Sequence, residues 1–457
     1  MFKKSIYIWI VLFAFAFLQN ALLAQQKNNT SPTANEYLLN LQKKVDSIKA
    51  VKQSSKSSNN KSSSNMPSQY ARGGYNTNKT TIDNTYNNLT TAEKEKVKNY
   101  PPVPEAFRTD KEAEQFLQKL KPINLAADIQ TYAKEKAIAL IGYCISYQAV
   151  QQKANKIVTQ AAKEKAEFIK NNPAINFGAD VGKCYVGEND VVYLPLGDAS
   201  FADEVVAAKY TTGNIEFDKN NCLQAPDYVQ MKNLKNNKGI YSLGLNGSII
   251  IRFNNNALVD VQGPDLFVFE AGEIEPTDVD ISQDGRNWIN IGKISGGTAA
   301  LDISKFVKPN EYFYYIRLTD LNTQSTIAGA DIDAVAAIGA AIKLSLNAEV
   351  LFDVGKADLK PDGIAAIKKL ATQLQNLPNA LLNIDGYTDD VGSDESNNKL
   401  SLQRAKAVAD ILRQELKNKT SFVYNQTGKG KANPVVPNNS DDNRKKNRRV
   451  EIIVNPK

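Results

Sequence analysis

The chain has 457 residues, 42% of them hydrophobic, enough for two or three domains with ordinary cores. Its 56 Lys and Arg against 49 Asp and Glu give a formal charge of +7, modest for this length and partly due to the run RKKNRR, so charge does not by itself indicate a nucleic-acid partner. No histidine is present, which excludes Ser-His and Cys-His nucleophilic catalysis and histidine-ligated metal centres.

Residues 1–24 carry Lys3 and Lys4, an apolar run from Ile6 to Leu18 and small residues before Gln25, the pattern of a secretory signal peptide. The apolar run is shorter than the roughly 20 residues a spanning helix needs. The chain is therefore expected to be exported, and in the periplasm disulfides persist. Of the three cysteines, Cys184 and Cys222 lie in turn-rich sequence and are the expected pair; Cys144 sits in a helical pattern and reads as a buried free thiol.

Residues 25–108, extreme in SSKSSNNKSSSN, read as a disordered leader that buries too little apolar surface to fold. Helical spacing at Tyr37–Val51 is the exception. Residues 109–174 show helical periodicity through Phe116, Leu120, Ile129, Ala137, Leu140, Ile141 and Phe168, punctuated by Pro122 and Pro173, and read as a helical hairpin that serves as a scaffold or oligomerisation element.

Residues 175–340 turn to short alternating runs (VVYLPL, GSIIIRF, DLFVFE, YFYYIRL) between Gly, Asn, Pro and Asp turns, which predicts an all-β sandwich or jelly roll. Within it Asp331 and Asp333, two apart on a strand-like run, are expected to face one way; with Asp265 or Glu270 they would offer the hard oxygen ligands that calcium prefers, the alternative being a solvated strand face or a loop cap. Trp288 and the run Tyr312 to Tyr315 fit either a sugar-stacking surface or core and rim aromatics. The segments LPLGDASFADEVV, LGLNGSIIIRFNNNALVDVQGPDLFVFEAGEIEPTDVDISQDGRNW and ADIDAVAAI together resemble a family of secreted bacterial β-sandwich modules fused to cell-surface proteins. The resemblance does not name a ligand; the partner expected through this region is an outer-membrane or surface protein or a glycan.

Residues 341–457 read strand, helix, strand, helix, strand, strand, an α/β (α+β) two-layer sandwich. AEVLFDV alternates Val350, Phe352 and Val354 as a first strand; Pro361 opens a helix with Ile364, Ile367, Leu370 and Leu374 on one stripe. LLNIDGYTD is the second strand, a helix from Ser401 carries Ala405, Val408, Leu412 and Leu416, and Phe422–Gln426 and Val450–Val454 complete the sheet. With Ser401 as N-cap, Arg404 falls in the first helical turn, where a cation opposes the helix dipole, so it reads as an anion receptor. Asp389, in the loop before that helix, would accept an ammonium. Together the two suit a zwitterion such as the end group of diaminopimelate, against the alternative that they form an internal salt bridge.

The ordered set LFDVGKADLKPDG, GYTDDVGSDESNNKLSLQRAKAV, GKG and NRRVEI resembles the C-terminal domain of the OmpA-like peptidoglycan-associated family. This implies a noncovalent grip on the diaminopimelate of the peptidoglycan stem peptide by Asp389 and Arg404, assisted by Arg448 and by loop residues around Asn397. For Arg448 the alternative is a solvated member of the charge run. Two positions depart from the family pattern: Gly355 stands where Asn is frequent and removes a side-chain contact, and Tyr387 stands where His is frequent, a change expected at the rim.

The function so expected is non-enzymatic: a cell-envelope protein tethering a β-sandwich to the wall. Two alternatives remain at this point. One is a wall- or glycan-acting enzyme in the middle region, targeted by the last domain, although no acid and base pair stands out there. The other is a stator-like partner of a membrane motor.

Overall fold

The computed structural model describes residues 79–456 apart from 176, 178–180, 188–189, 211–217, 229–238, 272–274, 310, 322–328, 340 and 376. The signal peptide, most of the Ser/Asn-rich leader and the Tyr37–Val51 pattern lie outside the described residues. Two compact units are present, one ending at Val158 and the other holding residues 159–456.

The first unit is helical: α1 (Lys79–Asn87), α2 (Thr91–Lys96), α3 (Asp110–Leu120), α4 (Leu125–Lys134) and the start of α5 (Ile138–Asn171). The leader expected to run to residue 108 therefore gives way to helix by Lys79. Composition averaged over the segment hid two local signals. Thr90 and Glu93 form a capping box at the start of α2, and Ile82, Leu89, Val97, Val103 and Phe107 are buried. The expected hairpin is three helices, because Pro122 and the left-handed Lys136 break the periodic pattern twice. Its core is aromatic: Tyr143 and Tyr147 pack edge to face at 5.1 Å, and the Tyr100 hydroxyl reaches Asp128 at 2.6 Å and Cys144 at 3.2 Å.

The second unit opens with a hairpin, β1 (Lys183–Val186) and β2 (Val191–Leu194), followed by β3 (Glu204–Lys209), β4 (Tyr241–Ser242), β5 (Ser248–Arg252), β6 (Asn256–Ala257), β7 (Leu266–Ala271), β8 (Thr277–Ser282), β9 (Ile289–Ile294), β10 (Thr298–Leu301), β11 (Tyr315–Asp320) and β12 (Asp331–Ala337). Two antiparallel sheets, ordered β3-β5-β11-β8-β9 and β10-β7-β12-β4, share one buried cluster. Alternation explains the pairing: Ile249 and Ile251 of β5, Val279 and Ile281 of β8 and Ile316 and Leu318 of β11 are all fully buried, with Asp280 and Arg317 between the last two pairs and the less buried Ile250 between the first.

The chain then enters β13 (Ala341–Asn347), α6 (Ala348–Leu351), α7 (Pro361–Leu374), β14 (Ala380–Tyr387), α8 (Asp394–Glu415), β15 (Phe422–Gly428), α9 (Asp441–Asn447) and β16 (Arg449–Pro456). The sheet order is β15-β14-β16-β13-β6, with only β14 and β15 parallel. The last strand, β6, comes from the two-sheet region and pairs with the start of β13. The stripes read from sequence meet on one face: Ile367, Leu370 and Leu374 of α7 and Ala405, Val408 and Leu412 of α8 bury Leu382, Ile384, Val450, Ile452 and Val454. The opposite face is polar yet covered. Lys343 lies 4.2 Å from the centre of the Tyr314 ring and 3.7 Å from the Glu451 carboxylate, and the Asn383 amide donates to the Tyr312 hydroxyl at 3.1 Å. The aromatic run around Tyr312 thus packs against this sheet.

One strand is corrected. AEVLFDV is not the first strand: Asn347 caps Glu349 N and starts the short helix α6, while the strand is the preceding AIKLSLN. Alternation misled because Val350 and Val354 are solvent-exposed.

The expected Cys184–Cys222 bridge is also corrected: all three cysteines are buried thiols outside any disulfide. Cys184, on β1, points its thiol at the Ala161 carbonyl, and Cys222 points its own at the Lys219 carbonyl. Burial pushes the Cys222 thiol up to about 12 and that of Cys144 to about 11. We expect a thiol reagent to react slowly with the folded protein and to count three thiols after unfolding without reductant; a count of one would contradict this reading.

Candidate functional site

Site residues converge at the end of the last sheet from which β14 leaves and β16 enters. Asp389 follows β14 by two residues. It is buried, its Oδ1 accepting the Val391 backbone N–H at 3.1 Å and its Oδ2 accepting Arg448 Nη1 at 2.6 Å. Arg448, between α9 and β16, also donates through Nη2 to Glu349 Oε1 at 2.5 Å. Burial works against its charge, but hydrogen bonds to Asp389 and Glu349 outweigh it and hold its pKa above the ordinary value. Arg448 is therefore not a loose member of a charge run. Glu349 went unrecognised because it sits in the segment read as a strand.

Arg404 occupies a different position from the one expected. Helix α8 begins at Asp394 with Ser393 as its N-cap, so Arg404 lies in the third turn and the helix-dipole argument does not apply. Ser401 is internal: its hydroxyl donates to the Asn398 carbonyl and accepts the Gly430 N–H, both at 3.0 Å, pinning the loop after β15 to the helix. Gly386 is required by this contact, since a Cβ there would lie 2.0 Å from the Ser401 carbonyl oxygen.

Burial sets Arg404 apart instead. It is 3% exposed; its Nε donates to the Lys356 carbonyl at 3.0 Å and its guanidinium lies 5.1 Å from the Phe352 ring centre. Among the described residues no carboxylate comes within the 4.0 Å of an ion pair. The expected alternative, an internal Asp389–Arg404 salt bridge, is thus replaced by Asp389–Arg448. Burial, and then the neighbouring Arg448, lowers the Arg404 pKa, with Asp389 partly offsetting them. Asn397, in the first turn of α8, is 5% exposed, and its side-chain N–H group has no hydrogen-bond partner among the described residues.

Both departures from the family pattern are resolved. Gly355 takes φ +71°, a left-handed turn that glycine adopts freely, and a Cβ there would meet nothing within 4 Å. Tyr387 is not at the rim: it is buried at the end of β14, with the Arg449 guanidinium 3.8 Å from its ring centre.

Among the described residues, the acidic groups that lie together at metal-ligand spacing are Asp260, Asp265 and Asp302, not the set expected for calcium. Asp331 and Asp333 are buried, and a bulge between Ile332 and Ala334 breaks the strict alternation that would turn both the same way. Asp333 Oδ1 instead accepts the Asp227 and Tyr228 backbone N–H groups. Glu270 pairs across from Ile332, but antiparallel register sends Asp265 to the other end of β7, beside Ile338, roughly 17 Å away along the strand.

Asp265 lies instead with Asp260 and Asp302, and its oxygens accept the Val261 and Ile303 N–H groups at 2.7 and 2.8 Å. Burial outweighs those donors and raises its pKa from 3.8 to about 7. The folded state then holds a proton that the unfolded state releases between pH 3.8 and about 7, so this group's contribution to stability falls as pH rises through that window. A carboxyl NMR titration is expected to give Asp265 a midpoint near 7; a midpoint near the ordinary value would contradict it.

With the geometry in view, the sequence comparison is decisive for the last domain: residues 351–448 match the OmpA family. Residues 351–448 are an OmpA family domain. Similar proteins include YiaD of Escherichia coli, 34% identical over 143 residues, which are 31% of this chain and 64% of that protein. The peptidoglycan-binding protein ArfA of Mycobacterium tuberculosis is 37% identical over 115 residues, 25% of this chain and 35% of that protein. The periplasmic domain of Helicobacter pylori MotB is 30% identical over 25% of this chain and 83% of that structure, with a TM-score of 0.23. The chain spans less than two thirds of the length of either curated relative. Asp389, Asn397, Arg404 and Arg448 all belong to the OmpA family domain, whereas Glu349 precedes the matched residues. Among the described residues no helix is long and apolar enough to cross a membrane.

Proposed function

We propose that the OmpA family domain grips peptidoglycan noncovalently at the diaminopimelate of the stem peptide, and so ties the two-sheet region to the cell wall of the envelope without making or breaking a bond. The observation that carries this reading is the buried Arg404 guanidinium, which has no carboxylate within ion-pair distance among the described residues. A buried charge left uncompensated costs several kcal/mol, and a ligand carboxylate would relieve that cost. The orphan Asn397 amide group supplies a second donor, and Asp389 accepts the ligand ammonium while sharing Arg448 with Glu349. Two carboxylates and two guanidiniums balance, so a neutral zwitterion enters without leaving net charge behind. ArfA, a relative over this stretch, is named a peptidoglycan-binding protein, which supports the same ligand. Cosedimentation with purified sacculi tests the proposal: the native chain is expected in the pellet and Asp389→Ala and Arg404→Ala in the supernatant, whereas equal retention of all three would sink it.

A further inference from the structure

Arg449 is the next residue after Arg448, and it faces the other side of the strand. It is 4% exposed and every guanidinium nitrogen is used: Nε donates to Glu451 Oε1 at 2.8 Å, Nη1 to the Asn447 carbonyl at 3.2 Å and Nη2 to the Asn433 carbonyl at 3.0 Å. Each contact leads to a part of the ligand site. Asn447 ends α9 immediately before Arg448, and its side chain holds the 433–438 loop through the Val436 N–H and carbonyl. Asn433 sits in the same loop at φ +49°, a conformation few non-glycine residues hold without support. The Arg449 plane covers the ring of Tyr387, its cross-strand partner, two residues before Asp389. Glu451 is in turn fixed by Lys343.

We infer that Arg449 is a positioning residue for the zwitterion site: it touches no ligand and acts through Arg448 and Asp389 by holding the ends of β14 and β16 and the loop between α9 and β15 in register. The inference rests on the reading of Asp389 and Arg404 given above. A planar fork with three fixed donors is what the position uses, and lysine, a point charge, retains the interaction with Glu451 but loses the fork.

Calorimetry with meso-diaminopimelate on the full chain tests it, using Arg449→Lys, Arg448→Lys and the double variant. Arg449→Lys is expected to fold with a lowered melting midpoint and to bind about tenfold more weakly at a temperature where it is fully folded, and the double variant to bind no more weakly than Arg448→Lys, because the effect of one passes through the other. Unchanged affinity in Arg449→Lys, or losses that simply add, would overturn the inference. Should Arg449→Lys fail to fold, Tyr387→Leu removes the stacked ring instead and is expected to weaken binding by a similar factor; native affinity there overturns it too. If the native chain itself does not bind meso-diaminopimelate, the site assignment fails first and this inference with it.

Discussion

Replacing Arg404 with leucine is expected to abolish wall binding while leaving the protein as stable as before or more so. Removing one partner of a buried, hydrogen-bonded charge pair costs about 2–5 kcal/mol of binding, roughly a 30- to 4000-fold loss of affinity. Stability is expected to move the other way, because Arg404 is buried with a single carbonyl acceptor at Nε and no ion-pair partner among the described residues. Leucine keeps apolar volume against Phe352 and removes a buried charge that no direct ion pair holds among the described residues. Lost affinity with a preserved or raised melting midpoint is the signature of a residue kept for its ligand. A large drop in the midpoint would instead mark Arg404 as a structural residue. Asp389→Ala differs in kind: it loses the ligand's acceptor and also leaves Arg448 Nη1 and the Val391 N–H without their partner, so affinity and stability are expected to fall together.

The largest effect on stability is expected at Glu451. Its carboxylate is 6% exposed and joins Arg449 at 2.8 Å and Lys343 at 3.7 Å. Burial opposes its charge, but the two cations outweigh burial and hold its carboxyl below the ordinary range, while burial depresses Lys343 despite that partner. Glu451→Ala leaves two buried cations facing each other, at a cost of about 3–5 kcal/mol. Glu451→Met with Lys343→Met, which removes the carboxylate and one cation together, is expected to recover part of it. Denaturant unfolding compares the variants, and a loss below about 1 kcal/mol, the level of an exposed pair, would show that this face of the sheet is wet.

Much of the last domain was legible because its helices carry clean stripes: Pro361 at a helix start, then Ile367, Leu370 and Leu374, fixed both the element and its buried face. The helix bearing Arg404 was misplaced by two turns because Ser401 competed with Ser393 as a cap. The acidic pair Asp394 and Glu395 in the first turn is the local signal that favours Ser393. Asp389, Arg404, Asn397 and Arg448 were named as candidates by pattern, but Glu349, which shares Arg448 with Asp389, was not. Glu349 lies 99 residues from Arg448 in the chain, and only the sheet brings them together. The acidic residues of the middle region failed for a related reason. Spacing of two implies a shared face only on an unbulged strand, and register between β7 and β12, invisible in sequence, sent Asp265 to the far end.

The proposed zwitterion site is tested most directly by competition. Sacculi loaded with the native chain are washed with free meso-diaminopimelate, and in parallel with the same concentration of cadaverine, which has ammoniums and no carboxylate, or of glutarate, which has carboxylates and no ammonium. Release by meso-diaminopimelate, with far less release by either control, is the predicted result. Retention in meso-diaminopimelate, or equal release by all three, would contradict a site built from Arg404 and Asp389 for that end group.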